Sequence, residues 1–442
     1  MDIIEKLSRA VAIPTVSYID RSQNEYGRFE EFLAFLPEAF PRLFETAEVR
    51  RIAEYSLLMK LPGTDNAKKP VLFLAHYDVV PPGDEKSWEH PPFGGDVVED
   101  ELWGRGTIDN KGTLIAVLQA VEEALETGWK PRRSIYFASG HDEEIGGSLG
   151  AKNIVADLAA RGVQFEAVYD EGMTIVTPEL FPMIDRNIAL IGTSEKGHVD
   201  IEISVEGTSG HASMPPASTA SGIIARAVTA IERNPFPSRI TGPVEELFRK
   251  IAPYNSGITR LVLNNPRIWS PVLKPILQKS VTSNALIRTT QAVTMLRGSD
   301  KENVLPDLAT ASVNCRILPG ETIGDVVSHI EKSTAGLGVR VKPIPELEGN
   351  DPLPVSSTST ETYRALDGAV RSVFPDTVVV PSIVLATTDS RHFKTVSDNI
   401  YRFVPVVLTR SLLGSIHSSN ERIPVVGLKN ACRVYRELLK NF

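Results

Sequence analysis

The sequence predicts an α/β protein: a mostly parallel sheet with helices on both faces, interrupted by a smaller α+β unit. Three observations point there. Short apolar runs such as VLFLA (Val71 to Ala75) and IYFAS (Ile135 to Ser139) alternate with helical stretches, the pattern of strands buried on both faces. Polar or glycine-rich loops follow those runs. Near Gly197 the pattern switches to strict alternation, Ile201, Ile203 and Val205 against Asp200, Glu202, Ser204 and Glu206, which marks a sheet with one wet face. A chain of 442 residues also exceeds the roughly 250–300 at which a single core stops growing, so two domains are expected.

In order along the chain, Asp2 can cap a helix carrying Ile3, Ile4, Leu7 and Val11, which Pro14 stops, and a second helix is expected from about Gly27 to Leu36. Ser56 to Leu61 reads as a strand and PGTDN as a turn; His76 and Asp78 then emerge from the end of VLFLA. WGRGTIDNKG (Trp103 to Gly112) holds Asp109 just before a helix whose apolar face is Leu114, Ile115, Val117, Leu118, Val121 and Leu125, ended by Gly128. Strand Ile135 to Ser139 delivers Glu143 and Glu144 to a glycine-rich turn, and strand Glu166 to Tyr169 leads to Asp170 and Glu171. The second unit should contain a helix from about Ser218 to Arg233, a Pro-containing stretch to about Ser283, and an extended run from Thr290 to Leu296. A strand from Thr310 to Ile317, a helix from Ile323 to Ser333 and a strand from Val339 to Ile344 complete it. From about Thr360 the chain returns to helix, apolar strand and loop, so the division is 1–196 and 350–442 for the larger domain and 197–349 for the insertion.

The net charge of -8 and a pI near 5.6, with no basic cluster interleaved with aromatics, exclude a nucleic-acid footprint. MDIIEKLSRAVAIP lacks the layout of a secretory signal and no run approaches a membrane span, so no membrane partner is expected. Cys315 and Cys432 stand far apart, which excludes a disulfide framework or a cysteine-rich zinc motif and suits a reducing cytoplasm.

Glu143 and Glu144 organise the chemistry. Adjacent carboxylates beside an apolar strand repel each other and lose hydration, so they need cations or a shared proton. His76, Asp78, Asp109 and Asp170 also follow strands or glycine turns, where ligands bind in open α/β sheets, and His417 lies in the tail. Nitrogen and carboxylate donors without thiolates suit zinc, with manganese or cobalt as alternatives. Each residue has an ordinary reading by itself: His76 a core histidine, Asp109 and Asp170 turn residues, the Glu pair a solvated helix start, His417 a loop histidine. Their coincidence after successive strands favours a metal site. His76 and Asp78, two apart on an extended segment, share a face, so Asp78 can orient the imidazole.

HYDVVPPGD, WGRGTIDNKG, SGHDEEIGG, YDEG, GTSGHASMPP, TTDSRHF and SIHSSNERI together resemble the dinuclear zinc exopeptidase and aminoacylase family, in particular its carboxypeptidase S and N-fatty-acyl-amino-acid hydrolase branch. The resemblance spans nearly the whole chain. It implies a catalytic domain interrupted by a ferredoxin-like lid or dimerisation domain, and two Zn²⁺. It further implies Asp109 bridging the two, His76 and Asp170 on one, Glu144 and His417 on the other, Asp78 orienting His76 and Glu143 as general base. Glu171, next in YDEG, is a rival to Asp170. His211 is implied to reach an active site across a dimer interface to bind the oxyanion. Arg391 is a candidate for gripping a substrate carboxylate, and Asn303 in ENVLP and Arg316 in VNCRILPG match lid motifs.

The expected activity is hydrolysis of the amide between a peptidyl or N-acyl group and an amino acid with a free carboxylate. A dipeptidase and a long-chain N-acyl amino acid hydrolase/synthase are the alternatives within that chemistry. A catalytically silent dimeric binding protein, or a metal-storing module, are alternatives of other classes. The long segment from Phe236 to Thr282, rich in aliphatic residues, reads as lid core, with an acyl pocket as the other reading.

Overall fold

The computed structural model describes residues 1–345 and 347–442. Its central element is a ten-stranded mixed sheet. The parallel core is Ile135–Ser139, Val71–Leu74, Ala167–Asp170 and Ile400–Arg402, side by side in that order. On one flank Ser56–Leu61 and Glu48–Ile52 join antiparallel. On the other, Ile188–Glu195 pairs antiparallel with Ile400–Arg402 and parallel with Val378–Val384. The core strands are buried at every position, which is why their sequences run apolar without alternation.

Period two then decides which layer each side chain meets. Val71 and Phe73 pack with Leu114, Ile115 and Leu118 of the helix Lys111–Glu126 and with Leu428 and Tyr435 of Val425–Leu439. Leu72, Leu74, Tyr136 and Val168 pack on the other face with Ile154 and Leu158 of Ala151–Ala160 and with Phe393 and Val396. Two helical layers therefore fix the height of the loops that leave the strands.

The alternating segment Gly197–Glu206 forms a separate four-stranded antiparallel sheet with Thr290–Arg297, Leu308–Ile317 and Arg340–Pro343. Helices Ala220–Arg233 and Ile323–Ser333 cover one face, their Ile224, Ala227, Val326 and Ile330 meeting Ile201, Ile203, Ala311 and Val313. The other face keeps its polar residues.

One expectation changes. The aliphatic stretch after Phe236 is only partly small-domain core: in Gly242–Ile251, Val244, Leu247, Phe248 and Ile251 pack against Ile188, Val378, Val380 and Ile383 of the large sheet. Helical spacing showed that this face is apolar without saying which sheet it meets. No described helix is long and apolar enough to cross a membrane.

Candidate active site

Loops leaving the carboxyl ends of the parallel strands converge with two later segments of the chain. His76, 2 % exposed, follows Val71–Leu74. Its Nε2 lies 3.1 Å from Asp109 Oδ1 and 3.1 Å from Glu171 Oε1. The other oxygen of Asp109, Oδ2, lies 2.9 Å from His417 Nε2, which is 3.2 Å from Glu144 Oε2. Asp109 therefore offers one oxygen to each of two histidines, and each histidine has a second carboxylate beside it.

These residues fit a pair of cations. Donor atoms about 3.3 Å apart are what tetrahedral bonds of about 2.0 Å produce. The electrostatics agree, because burial together with the neighbouring acids holds the carboxyls of Glu143 and Glu171 well above their ordinary range. Hydrogen bonds to Asp109 and Glu144 push His417 up to about 10. Glu144 Oε1 is also buried without a hydrogen-bond partner among the described residues, an orphaned acceptor of the kind a bound cation satisfies.

Asp78 holds the arrangement from below. Its carboxylate accepts from the backbone N–H of Glu143 at 3.1 Å and of Glu144 at 3.2 Å, and from Ser17 Oγ at 2.6 Å. Its main-chain oxygen, 3.0 Å from His76 Nδ1, is closer to the ring than the carboxylate at 3.4 Å. So Asp78 orients His76 chiefly through its backbone and positions the Glu pair with its side chain. Asp142 closes the same turn by accepting from Leu149 N and Gly150 N, both at 2.8 Å.

Of the two acids in YDEG, the carboxylate facing His76 is that of Glu171. Asp170 is the last residue of Ala167–Asp170 and shares the face of Val168, toward the layer of Phe393. There it accepts from Ser390 N at 3.1 Å and feels Arg402, which is buried in an ion pair with Glu195 at 2.8 Å. The expectation that Asp170 accompanies His76 is thus corrected by strand parity: one step past the strand end turns the next side chain to the other face.

A cavity of about 870 Å³ opens above Glu143, Glu144 and His417, and Arg391, His392, His198 and Arg316 line it as well. Arg391 is fixed by donating from Nη2 to Gly146 O at 2.6 Å. Arg316 and His198 come from the smaller sheet, so both domains contribute walls. His211 and Asn303 do not line this cavity among the described residues. His211 sits on an exposed two-stranded ribbon with Asn303 in the turn just before its second strand; His211 Nδ1 contacts Ser213 Oγ at 2.7 Å and Asn303 O accepts from Ala212 N at 3.0 Å.

Two contributors carry no role in the sequence reading although both lie in its motifs. Asp389 of TTDSRHF is buried against Gly140 and Gly147 with both oxygens unpartnered among the described residues. Gly147, at φ +66°, is required there, since any Cβ would collide with that carboxyl. Glu421 of SIHSSNERI, fully buried, accepts from Gly106 N at 3.0 Å, Ile108 N at 2.8 Å and Asp109 N at 3.1 Å, and pairs with Arg105 at 2.6 Å. Its signal was an acid four residues after His417, legible only once the Asp109 loop is known to pass beside it. Glu421→Ala should cost about 3–5 kcal/mol, because it strands a buried guanidinium and three N–H groups; the denaturant midpoint measures this, and a loss under about 1 kcal/mol would refute the assignment.

Comparison with known proteins agrees with this geometry. The sequence matches the peptidase family M20/M25/M40 over residues 72–441. The probable carboxypeptidase S-like 2 of Dictyostelium discoideum is 37% identical over 447 residues, covering 100% of this chain and 85% of that protein. The N-fatty-acyl-amino acid synthase/hydrolase PM20D1 of Mus musculus is 36% identical over 445 residues, covering 99% and 87%. Among solved structures, the M20 family metallo-carboxypeptidase Sso-CP2 from Sulfolobus solfataricus superposes with a TM-score of 0.72 at 18% identity, covering 100% of this chain and 99% of that one. The chain therefore belongs to peptidase family M20/M25/M40 and is an enzyme of the metallopeptidase type.

Proposed function

We propose that the protein is a zinc-dependent hydrolase that cleaves the amide joining a peptidyl or N-acyl group to an amino acid with a free carboxylate. The observation that carries this reading is Asp109, one oxygen toward His76 and one toward His417, with Glu143 beside it in a cavity that also displays Arg391 and Arg316. His76, Asp109 and Glu171 would hold one cation, and His417, Asp109 and Glu144 the other. Bound cations supply Lewis acidity toward the scissile carbonyl and lower the pKa of water.

The chain's own groups do the rest. Glu143 takes a proton from the attacking water and passes it to the leaving amine, one carboxyl serving as base and then acid. Arg391 and Arg316 present planar forks suited to a carboxylate. His211, on its exposed ribbon, is assigned to the cavity of a second copy in a homodimer, where it supplies an oxyanion donor. The relatives named for carboxypeptidase S and for N-fatty-acyl-amino acid hydrolysis support this substrate class.

Amine release from a matched panel tests the proposal: dipeptides, short- and long-chain N-acyl amino acids, and the same compounds with the carboxylate capped as an amide. Free acids should be hydrolysed, and capping the substrate or changing Arg391→Ala should raise KM roughly 10- to 100-fold, as expected for a lost charge-assisted hydrogen bond. A zinc-loaded protein inert across the panel would remove the substrate class. Equal rates on capped and free compounds would remove the arginine role.

A further inference from the structure

Between Ala220–Arg233 and Thr290–Arg297 the small domain sends out a helical excursion: Gly242–Ile251, Gly257–Asn264, Ser270–Leu277 and Val281–Leu286. Its first helix is anchored on the large sheet, but the next two are covered on one side only. Gly257–Asn264 buries Leu263 and leaves Ile258 76 % exposed with Leu261 half-exposed; Ser270–Leu277 buries Leu273 and leaves Val272 and Ile276 half-exposed. At about 100° per residue, Ile258 and Leu261 share a face turned away from Leu263, while Val272 and Ile276 lie about 40° apart with Leu273 at the edge of their face. The connection adds Ile268 at 75 % exposure, and the start of Val281–Leu286 adds Val281 at 88 %. Single exposed aliphatic residues are ordinary, whereas a succession on consecutive helices marks a surface that meets something apolar.

Charge is the second observation. From Leu247 to Ser299 there is no acidic residue and there are eight Lys and Arg, in a chain whose net charge is -8. The acids just upstream are already taken: Glu245 pairs with Arg249 and Arg267, and Glu246 with Lys250. Arg260 and Lys279 are exposed on the same segment as the aliphatic side chains, with no ion pair among the described residues.

A second copy docked through this face by a two-fold axis would set basic surface against basic surface, which is unfavourable. An anionic lipid surface matches both features: aliphatic side chains enter the headgroup–acyl boundary while Lys and Arg stay at the phosphates. We propose that residues 257–281 form a peripheral membrane-binding surface selective for anionic lipid. The lack of a secretory-signal layout and of a spanning run, on which no membrane partner is expected, does not bear on peripheral binding. An enzyme so placed would meet amphiphilic substrates where they partition; that consequence rests on the acyl-amino-acid reading, whereas the lipid binding does not.

The test is flotation of the full-length, metal-loaded protein with phosphatidylcholine vesicles made with or without phosphatidylglycerol. Wild type should float with the anionic vesicles, weakly with the neutral ones, and less in high salt. Arg260→Glu with Lys279→Glu should weaken anionic binding roughly tenfold or more. Ile258→Ser with Ile268→Ser should weaken it to a similar extent, both double variants keeping the wild-type thermal midpoint. Ile268→Ser alone, in a connection, serves if the helix change impairs folding. Failure of wild type to float, equal binding to both vesicle types, or unchanged binding of every variant overturns the proposal. A variant that halves the particle mass while wild type ignores vesicles shows that a second copy covers the face, which also overturns it.

Discussion

Glu143→Gln is expected to lower kcat about 10³-fold while the protein keeps its metal, within the range general-base removal produces. The Glu143 backbone N–H is held by Asp78 at 3.1 Å, so the amide side chain should occupy the same place without being able to accept the proton. A Glu143 oxygen clusters with His76 and Glu171, yet each histidine already has two other carboxylate oxygens at 2.9–3.2 Å. Cation content should therefore survive the change, and KM should move little. Steady-state kinetics paired with metal analysis decide the matter. Activity above about a tenth of wild type with full metal would take the role of base away from Glu143.

The neighbouring acids of YDEG should separate just as sharply. Glu171→Ala is expected to weaken one of the two cations by more than about 100-fold, since loss of a merely outer partner already costs 10- to 100-fold. Asp170→Asn should leave both cations in place. It should instead lower stability by about 1–3 kcal/mol, because the carboxylate that accepts from Ser390 N and faces buried Arg402 loses its charge. Metal titration and thermal unfolding of the two variants check this, and metal loss confined to Asp170→Asn would reverse the assignment.

The contrast between these residues shows what the sequence could and could not carry. Apolar runs ending in acids or histidine single out His76, Asp109, Glu143 and Glu144, because strand ends and glycine turns leave a local trace, whereas His417, in the tail, follows no such run and its role comes with the family resemblance. The choice between Asp170 and Glu171 depended on where the strand stops to within a single residue, and period-two parity magnifies an error of one into the wrong face. The work of Glu421 and Asp389 was illegible for another reason: their partners at residues 105–109, and at Gly140 and Gly147, are joined only in space. For the same reason the face of Gly242–Ile251 read as apolar while its partner sheet did not.

The tie between Glu421 and the Asp109 loop has a consequence for how the chain matures. During synthesis the loop emerges about 300 residues ahead of the carboxylate that will hold its N–H groups, and ahead of His417 as well. A nascent chain stopped before residue 417 can already form the strands around His76 and Glu143, but it has neither the second histidine nor the acceptor that shapes the loop. On the proposed assignment, a complete cation site thus waits on the segment that carries His417 and Glu421 and on the docking of Arg422–Pro424 and Val425–Leu439 that follows it.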